Sequence, residues 1–348
     1  MHHGPTLEVD LGAITRNYER LRGQLKNRRC AGVVKANAYG LGVAEVAPAL
    51  YRAGCRDFFV ATLQGGVFLR KILGKDAVIY IFHGVRAGQS KDFTAHTLVP
   101  VLNSLEQLSI WQEKGPYALH IDTGMRRLGL TVEETRNLRQ SPNLKLVMSH
   151  LACAGEPEHP MNREQLAEFS RVREPFKGIP ASLSNSSGIF LGKDYHFDLA
   201  RPGCSLYGIS PNTHLANPVE NVVTLSAPVL QYRTLTKPES VGYGATATAP
   251  AGSILATVEL GYADGFLRSL SNRATAYAGT TPVPLIGRVS MDMVSIDVTK
   301  LPAHLRTSDL RITFIGKELP VDKVATNAST IGYEIFTRLG SRVKRIYS

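Results

Sequence analysis

Between residue 30 and about residue 205 the chain alternates short apolar runs with amphipathic stretches. Runs at 31–35, 57–62, 77–82, 98–102, 118–122, 145–150, 181–185 and 197–202 are apolar and mostly β-branched, without strict alternation. That is the pattern of strands buried on both faces. Helical spacing fills the intervals at 43–52, 104–114, 132–139 and 162–173. Thr131, with Glu134 three residues on, gives the third of these helices a capping-box signature. Eight strand-then-helix units in about 170 residues predict a (β/α)8 barrel. A doubly wound open sheet is the competing arrangement.

Past about residue 221 the texture changes. Runs at 222–234, 253–259, 273–278, 282–289 and 293–298 read as strands separated by Gly and Pro turns, and 326–339 reads as a helix. The expected fold class is therefore α/β plus β. A TIM barrel over 10–220 precedes a mostly-β domain over 221–348, which the strand-like run at 6–9 joins from the N-terminus.

Composition narrows the possibilities. The 348 residues are 43% apolar and 20% charged, which excludes wholesale disorder. No apolar run approaches the roughly 20 residues needed to cross a bilayer, so no membrane partner is expected. The opening MHHGPTLEVDLGA lacks the apolar core of a secretory signal, which points to a cytoplasmic protein. His2 and His3 are a tag remnant or native and carry no role. Cys30, Cys55, Cys153 and Cys204 form no CxxC pair and have no histidines at zinc-ligand spacing, so free thiols and no metal are expected. The net charge of +11 is scattered and lacks an aromatic-basic platform. It reads as a solvated basic surface, not a nucleic-acid site.

A barrel carries its chemistry at the C-terminal ends of its strands. The first run ends in Lys35. Either this is a rim lysine, or it is a desolvated amine able to condense with an aldehyde. Tyr39 follows in the next turn, as a hydrogen-bond donor or as packing. The loops after the seventh and eighth runs are the usual phosphate site, and here they contain Ser184-Asn185-Ser186-Ser187-Gly188 and Arg201-Pro202-Gly203-Cys204. An aldehyde-bearing phosphorylated cofactor that takes a lysine is pyridoxal 5′-phosphate. His150 and Arg127 stand at the same face, the arginine suiting a carboxylate or a phenolic oxygen. Tyr262, between Gly261 and Asp264, is a turn tyrosine or an acid–base group.

These strings together resemble the alanine racemase family of barrel-type pyridoxal-phosphate enzymes, over about residues 7–347. The resemblance rests on Val-Val-Lys-Ala-Asn-Ala-Tyr-Gly at 33–40, Asp-Thr-Gly-Met and Arg-Leu-Gly within 122–129, Ser-His at 149–150 and Asn-Ser at 185–186. It continues through Arg-Pro-Gly at 201–203, Leu-Tyr-Gly at 206–208, Gly-Tyr-Ala-Asp-Gly at 261–265 and Gly-Arg-Val-Ser-Met-Asp at 287–292. Tyr-Glu at 333–334 and the tail at 342–347 complete it.

The resemblance implies racemisation of L- and D-alanine, supplying D-alanine for peptidoglycan. Racemases of serine, lysine, arginine or a broader range are the alternative. It implies that Lys35 holds the cofactor and that Tyr39, Asn185, Ser186, Gly203, Cys204 and Tyr333 cradle the phosphate end. Arg201 would face the ring nitrogen, Arg127 the phenolic oxygen and the substrate side, and His150 would link toward Tyr262. Lys35 and Tyr262 would serve opposite faces of the substrate. Members of the family are homodimers, which implies that Tyr262, Met291 and the supporting Asp292 come from the partner subunit. His120 is a departure: many members have a modified lysine there that orients the arginine.

Overall fold

A computed structural model describes residues 4–212 and 216–348, so His2 and His3 lie outside the described residues. The chain divides into two compact units, Gly12–Glu220 and Met1–Leu11 with Asn221–Ser348.

The first unit is a closed barrel. Its strands are Arg29–Cys30 continued by Gly32–Val33, then Asp57–Val60, Val78–Ile81, Val99–Leu102, Tyr117–His120, Leu144–Met148, Ala181–Ser182 and Leu199–Ala200. Parallel pairing runs unbroken from the first strand to the seventh. The eighth pairs with the first in the register Leu199↔Arg29 and Ala200↔Cys30. The seventh and eighth are joined by Asp198 N–H to Ala181 O at 3.0 Å and Arg201 N–H to Ser184 O at 2.9 Å. The ring therefore closes on itself, and the open-sheet alternative is excluded. The second, fourth and fifth strands are buried at every position, as strands covered on both faces must be.

Side-chain caps start three of the helices, the one at Thr131 as its sequence signature predicted. Thr62 accepts from Gly65 N–H, Ser104 from Gln107 N–H, and Thr131 with Glu134 makes the full capping box. Two helices are shorter than their patterns. Gln112 turns left-handed at φ 44° and ends Leu105–Trp111. The stretch 132–139 yields only Val132–Thr135, because Thr135 alone among these residues is buried and nothing anchors a second turn.

The second unit is built on the long strand Val223–Thr234. It pairs antiparallel with Thr6–Val9, Ile254–Val258 and Arg311–Ile315, and Thr6–Val9 pairs in parallel with the C-terminal strand Lys344–Tyr347. The Thr275–Ala278 and Thr281–Pro284 hairpin and Val294–Asp297 extend it. Arg311–Ile315 and Lys344–Tyr347 are strands that the pattern did not announce. The expected helix at 326–339 is two helices, Val321–Asn327 and Gly332–Arg338, separated where Ser329 takes φ 57°. Cys30, Cys55, Cys153 and Cys204 are free thiols. Among the described residues no helix is long and apolar enough to cross a membrane, and no His, Cys, Asp and Glu cluster could hold a metal ion.

Candidate active site

The barrel's C-terminal mouth opens into a cavity of about 320 Å³ lined by Lys35, Phe82, His120, Arg127, Met148 and His150, among others. Lys35 enters it from an unusual piece of backbone. Ala36, Asn37, Ala38 and Tyr39 all have φ between 51° and 57°, forming one left-handed turn that Gly40 closes at φ 87°. Each non-glycine residue there costs roughly 1–2 kcal/mol. The Asn37 side chain, which accepts Val43 N–H at 2.8 Å, helps to hold the turn. Its consequence is placement, since Lys35 faces the cavity while Tyr39 returns, buried, beneath it. Burial first, and then the Arg127 charge, lower the Lys35 pKa. Its ammonium lies 5.8 Å from the centre of the Phe82 ring.

His120 ends the fifth strand, and its Nδ1 is 2.8 Å from Asn103 Oδ1. Asn103 donates from Nδ2 to Phe82 O at 2.9 Å and Val101 O at 2.7 Å, so its oxygen faces the imidazole and Nδ1 is the donor. Burial and the Arg201 charge lower the His120 pKa to about 4. His150 is likewise held neutral, chiefly by burial and by Arg201. Arg127 is exposed on a loop pinned at both ends, with Leu130 N–H to His120 O and Asp122 N–H to Leu130 O, each 2.8 Å.

Arg201 is buried between the seventh and eighth strands. It donates to Ser182 Oγ, to Ser149 O at 2.5 Å and to Leu183 O, while its Nε has no partner among the described residues. Burial lowers its pKa to about 9, which still leaves it charged at neutrality. Beside it the expected phosphate loops converge. Ser186 Oγ accepts Gly203 N–H at 3.0 Å and Ser205 N–H at 3.3 Å. A Cβ on Gly203 would collide with the Tyr39 hydroxyl, so the glycine keeps that corner open. Tyr39 packs on Tyr207, ring centres 4.8 Å apart, and Tyr207 donates to Val33 O at 2.8 Å. The Asn185 side-chain Oδ1 accepts Gly188 N–H at 2.9 Å, so that atom braces the turn. Cys204 is buried in the same loop.

The remaining candidates lie in the other unit. Tyr262 opens a turn at Tyr262–Asp264 and is 43% exposed; Met291 is 53% exposed and Tyr333 36%. Tyr262 N–H bonds to Ser290 O and Ala263 N–H to Met291 O, which ties the two turns together. Sequence reading missed Asn103, Ser182 and Tyr207. Asn103 carried a signal, because it directly follows the fourth predicted strand. Tyr207 stood in the Leu-Tyr-Gly string without a role assigned to it, and Ser182 carried no signal, because a buried hydroxyl looks like any other small core position.

The family model for "Alanine racemase, N-terminal domain" matches residues 9–211, and that for "Alanine racemase, C-terminal domain" matches 222–347. The chain belongs to the alanine racemase family. An alanine racemase of Rhodospirillum rubrum is 50% identical over 355 residues, 98% of this chain and 95% of that protein. The alanine racemase of Rickettsia akari is 43% identical over 98% of both chains. The crystal structure of alanine racemase from Bartonella henselae with covalently bound pyridoxal phosphate has a TM-score of 0.94 at 38% identity, covering all of both chains. The biosynthetic alanine racemase of Pseudomonas aeruginosa has a TM-score of 0.92 at 32% identity, also over all of both chains.

Proposed function

We propose that the protein is a pyridoxal-phosphate-dependent alanine racemase working as a homodimer, with Lys35 and Tyr262 of the partner subunit on opposite faces of the substrate. The observation that carries the cofactor is the buried Arg201 Nε, a donor without a partner among the described residues, in the same loop as a cradle kept open by Gly203. These residues fit the group. Lys35 Nζ would take its carbonyl carbon, Ser186, Gly203, Cys204, Tyr39 and Tyr333 its phosphate, and Arg201 Nε its ring nitrogen. When bound, the cofactor supplies the electron withdrawal that acidifies the substrate α-C–H.

The chain's own groups do the rest. Desolvation favours the neutral Lys35 amine, so Nζ can accept and return a proton on the D-alanine face. The Tyr262 phenol serves the L-alanine face. Arg127 and the Met291 amide orient the substrate carboxylate, and Asp292 supports that turn. Arg201, linked through neutral His150, would place fixed positive potential toward the phenolate that Tyr262 must become. Exposed Tyr262, Met291, Met293, Ile331 and Tyr333 leave an apolar, aromatic-rich surface on the β unit, which supports burial against a second copy.

Chiral product analysis after adding L-alanine to the cofactor-loaded protein tests the reading. Conversion to the racemate supports it. Activity on L-serine, L-lysine or L-arginine with none on alanine would replace alanine as the substrate, and failure to act on any of them would end the racemase assignment.

A further inference from the structure

The tail motif at 342–347 resembles the family but has no role in the site as described so far. Arg342 stands between the two turns that present Tyr262 and Met291. Its Nε lies 2.9 Å from Asp264 Oδ1, and one terminal nitrogen lies 2.7 Å from Asp292 Oδ1. Asp264 is fully buried, and its second oxygen accepts Gly261 N–H at 2.8 Å, so this carboxylate grips the residue just before Tyr262. Asp292 immediately follows Met291. The same tail segment adds Gly340 N–H to Asp264 O at 3.0 Å. The turns approach too closely for slack, since a Cβ on Gly261 would collide with the Met291 carbonyl.

We propose that Arg342 is a positioning residue for proton transfer at Tyr262, clamping the turns at 261–265 and 287–292 so that the phenol and the Met291 amide keep a fixed separation. The Arg342–Asp292 pair is half-exposed on both sides, and an ion pair in that setting adds little to folding, whereas the charge on buried Asp264 needs its partner. A rigid fork spanning two carboxylates instead sets geometry, which a lysine's single point charge cannot reproduce. The inference rests on the assignment of Tyr262 to the L-alanine face.

The test follows α-proton exchange into heavy water from L-alanine and from D-alanine separately, in the holoenzymes of Tyr262→Phe, Asp292→Asn and Arg342→Lys. Asp292→Asn leaves buried Asp264 paired, which guards against misfolding. A misplacement of about 1 Å can cost on the order of a hundredfold. Asp292→Asn and Arg342→Lys should therefore slow exchange from L-alanine by roughly ten- to a hundredfold. D-alanine exchange should fall by clearly less, because it shares the Met291 contact to the carboxylate but not the Tyr262 phenol, and the melting temperature should stay close to wild type. Equal losses from both enantiomers, losses that track melting temperature, or no loss at all would overturn the clamp. If Tyr262→Phe leaves L-alanine exchange intact, it is the assignment of Tyr262 that fails. If Tyr262→Phe slows it and the other two variants do not, the clamp alone fails.

Discussion

At the barrel mouth, His120 and Arg201 are buried, and each is held by neighbours on strand ends. In the β unit, Tyr262, Met291 and Tyr333 stand exposed on turns or at a helix start, and what is fixed there is the backbone beneath them. The proposed function accounts for the difference. Groups that tune an amine or a cofactor nitrogen act through low dielectric and fixed dipoles, which a closed ring of strands supplies without help. Groups that approach a substrate from the other side need precise backbone and a free face. Under the proposed function the barrel would supply the chemical environment, and the β unit would present Tyr262 and Met291 on a fixed backbone to a second copy.

Removing the barrel's amine should have the largest effect. Lys35→Ala should abolish racemisation and the visible absorbance of the lysine-bound cofactor, a loss of at least about 10⁴-fold in rate. Retained absorbance would break the assignment of Lys35 to the cofactor. Tyr262→Phe should be asymmetric, slowing L-alanine exchange by about 10²–10⁴-fold while cofactor binding by equilibrium titration stays near wild type. A loss of cofactor affinity in that variant would mean that the two regions are not separable in function.

Gly203→Ala should weaken cofactor binding by roughly ten- to a hundredfold and destabilise the fold by about 1–3 kcal/mol, because the new methyl displaces the Tyr39 hydroxyl. Equilibrium titration with the cofactor and denaturant unfolding would check both.

Acidification probes the buried imidazoles. His120 has an ordinary value near 6.5 and a folded value of about 4, so the unfolded chain binds the extra proton. Its contribution is intact above about pH 6.5 and is lost as pH falls toward 4, up to about 3 kcal/mol. His150 acts in the same direction. Denaturant unfolding across that window should show stability falling, with a shallower fall in His120→Asn. A slope unchanged by that substitution would remove His120 from the account. The smallest expected effect is Thr131→Ala, which should cost about 1 kcal/mol of stability through the lost cap and leave racemisation untouched.

Hydrophobic pattern and turn chemistry, read along the chain, determined that strands alternate with helices up to about residue 205 and that strands dominate afterwards. They also put Lys35, Ser186, Arg201 and Gly203 at strand ends or in the loops that follow. These are local properties: a buried strand needs apolar residues on both faces, and a cap needs its hydroxyl at one position. Closure of the ring was not local, because the bonds from the eighth strand to the first join residues about 170 positions apart in sequence. The same holds for the strands Arg311–Ile315 and Lys344–Tyr347, which exist only because Val223–Thr234 and Thr6–Val9 offer them edges. The left-handed turn from Ala36 to Tyr39 was illegible for the opposite reason. Only Asn37 in Ala-Asn-Ala-Tyr tolerates positive φ readily, and the packing around the turn overrides the preference of the other three. Likewise the Asn103–His120 pair and the Arg342 bridge join distant segments, so their geometry and the electrostatics that follow from it were decided by the tertiary structure.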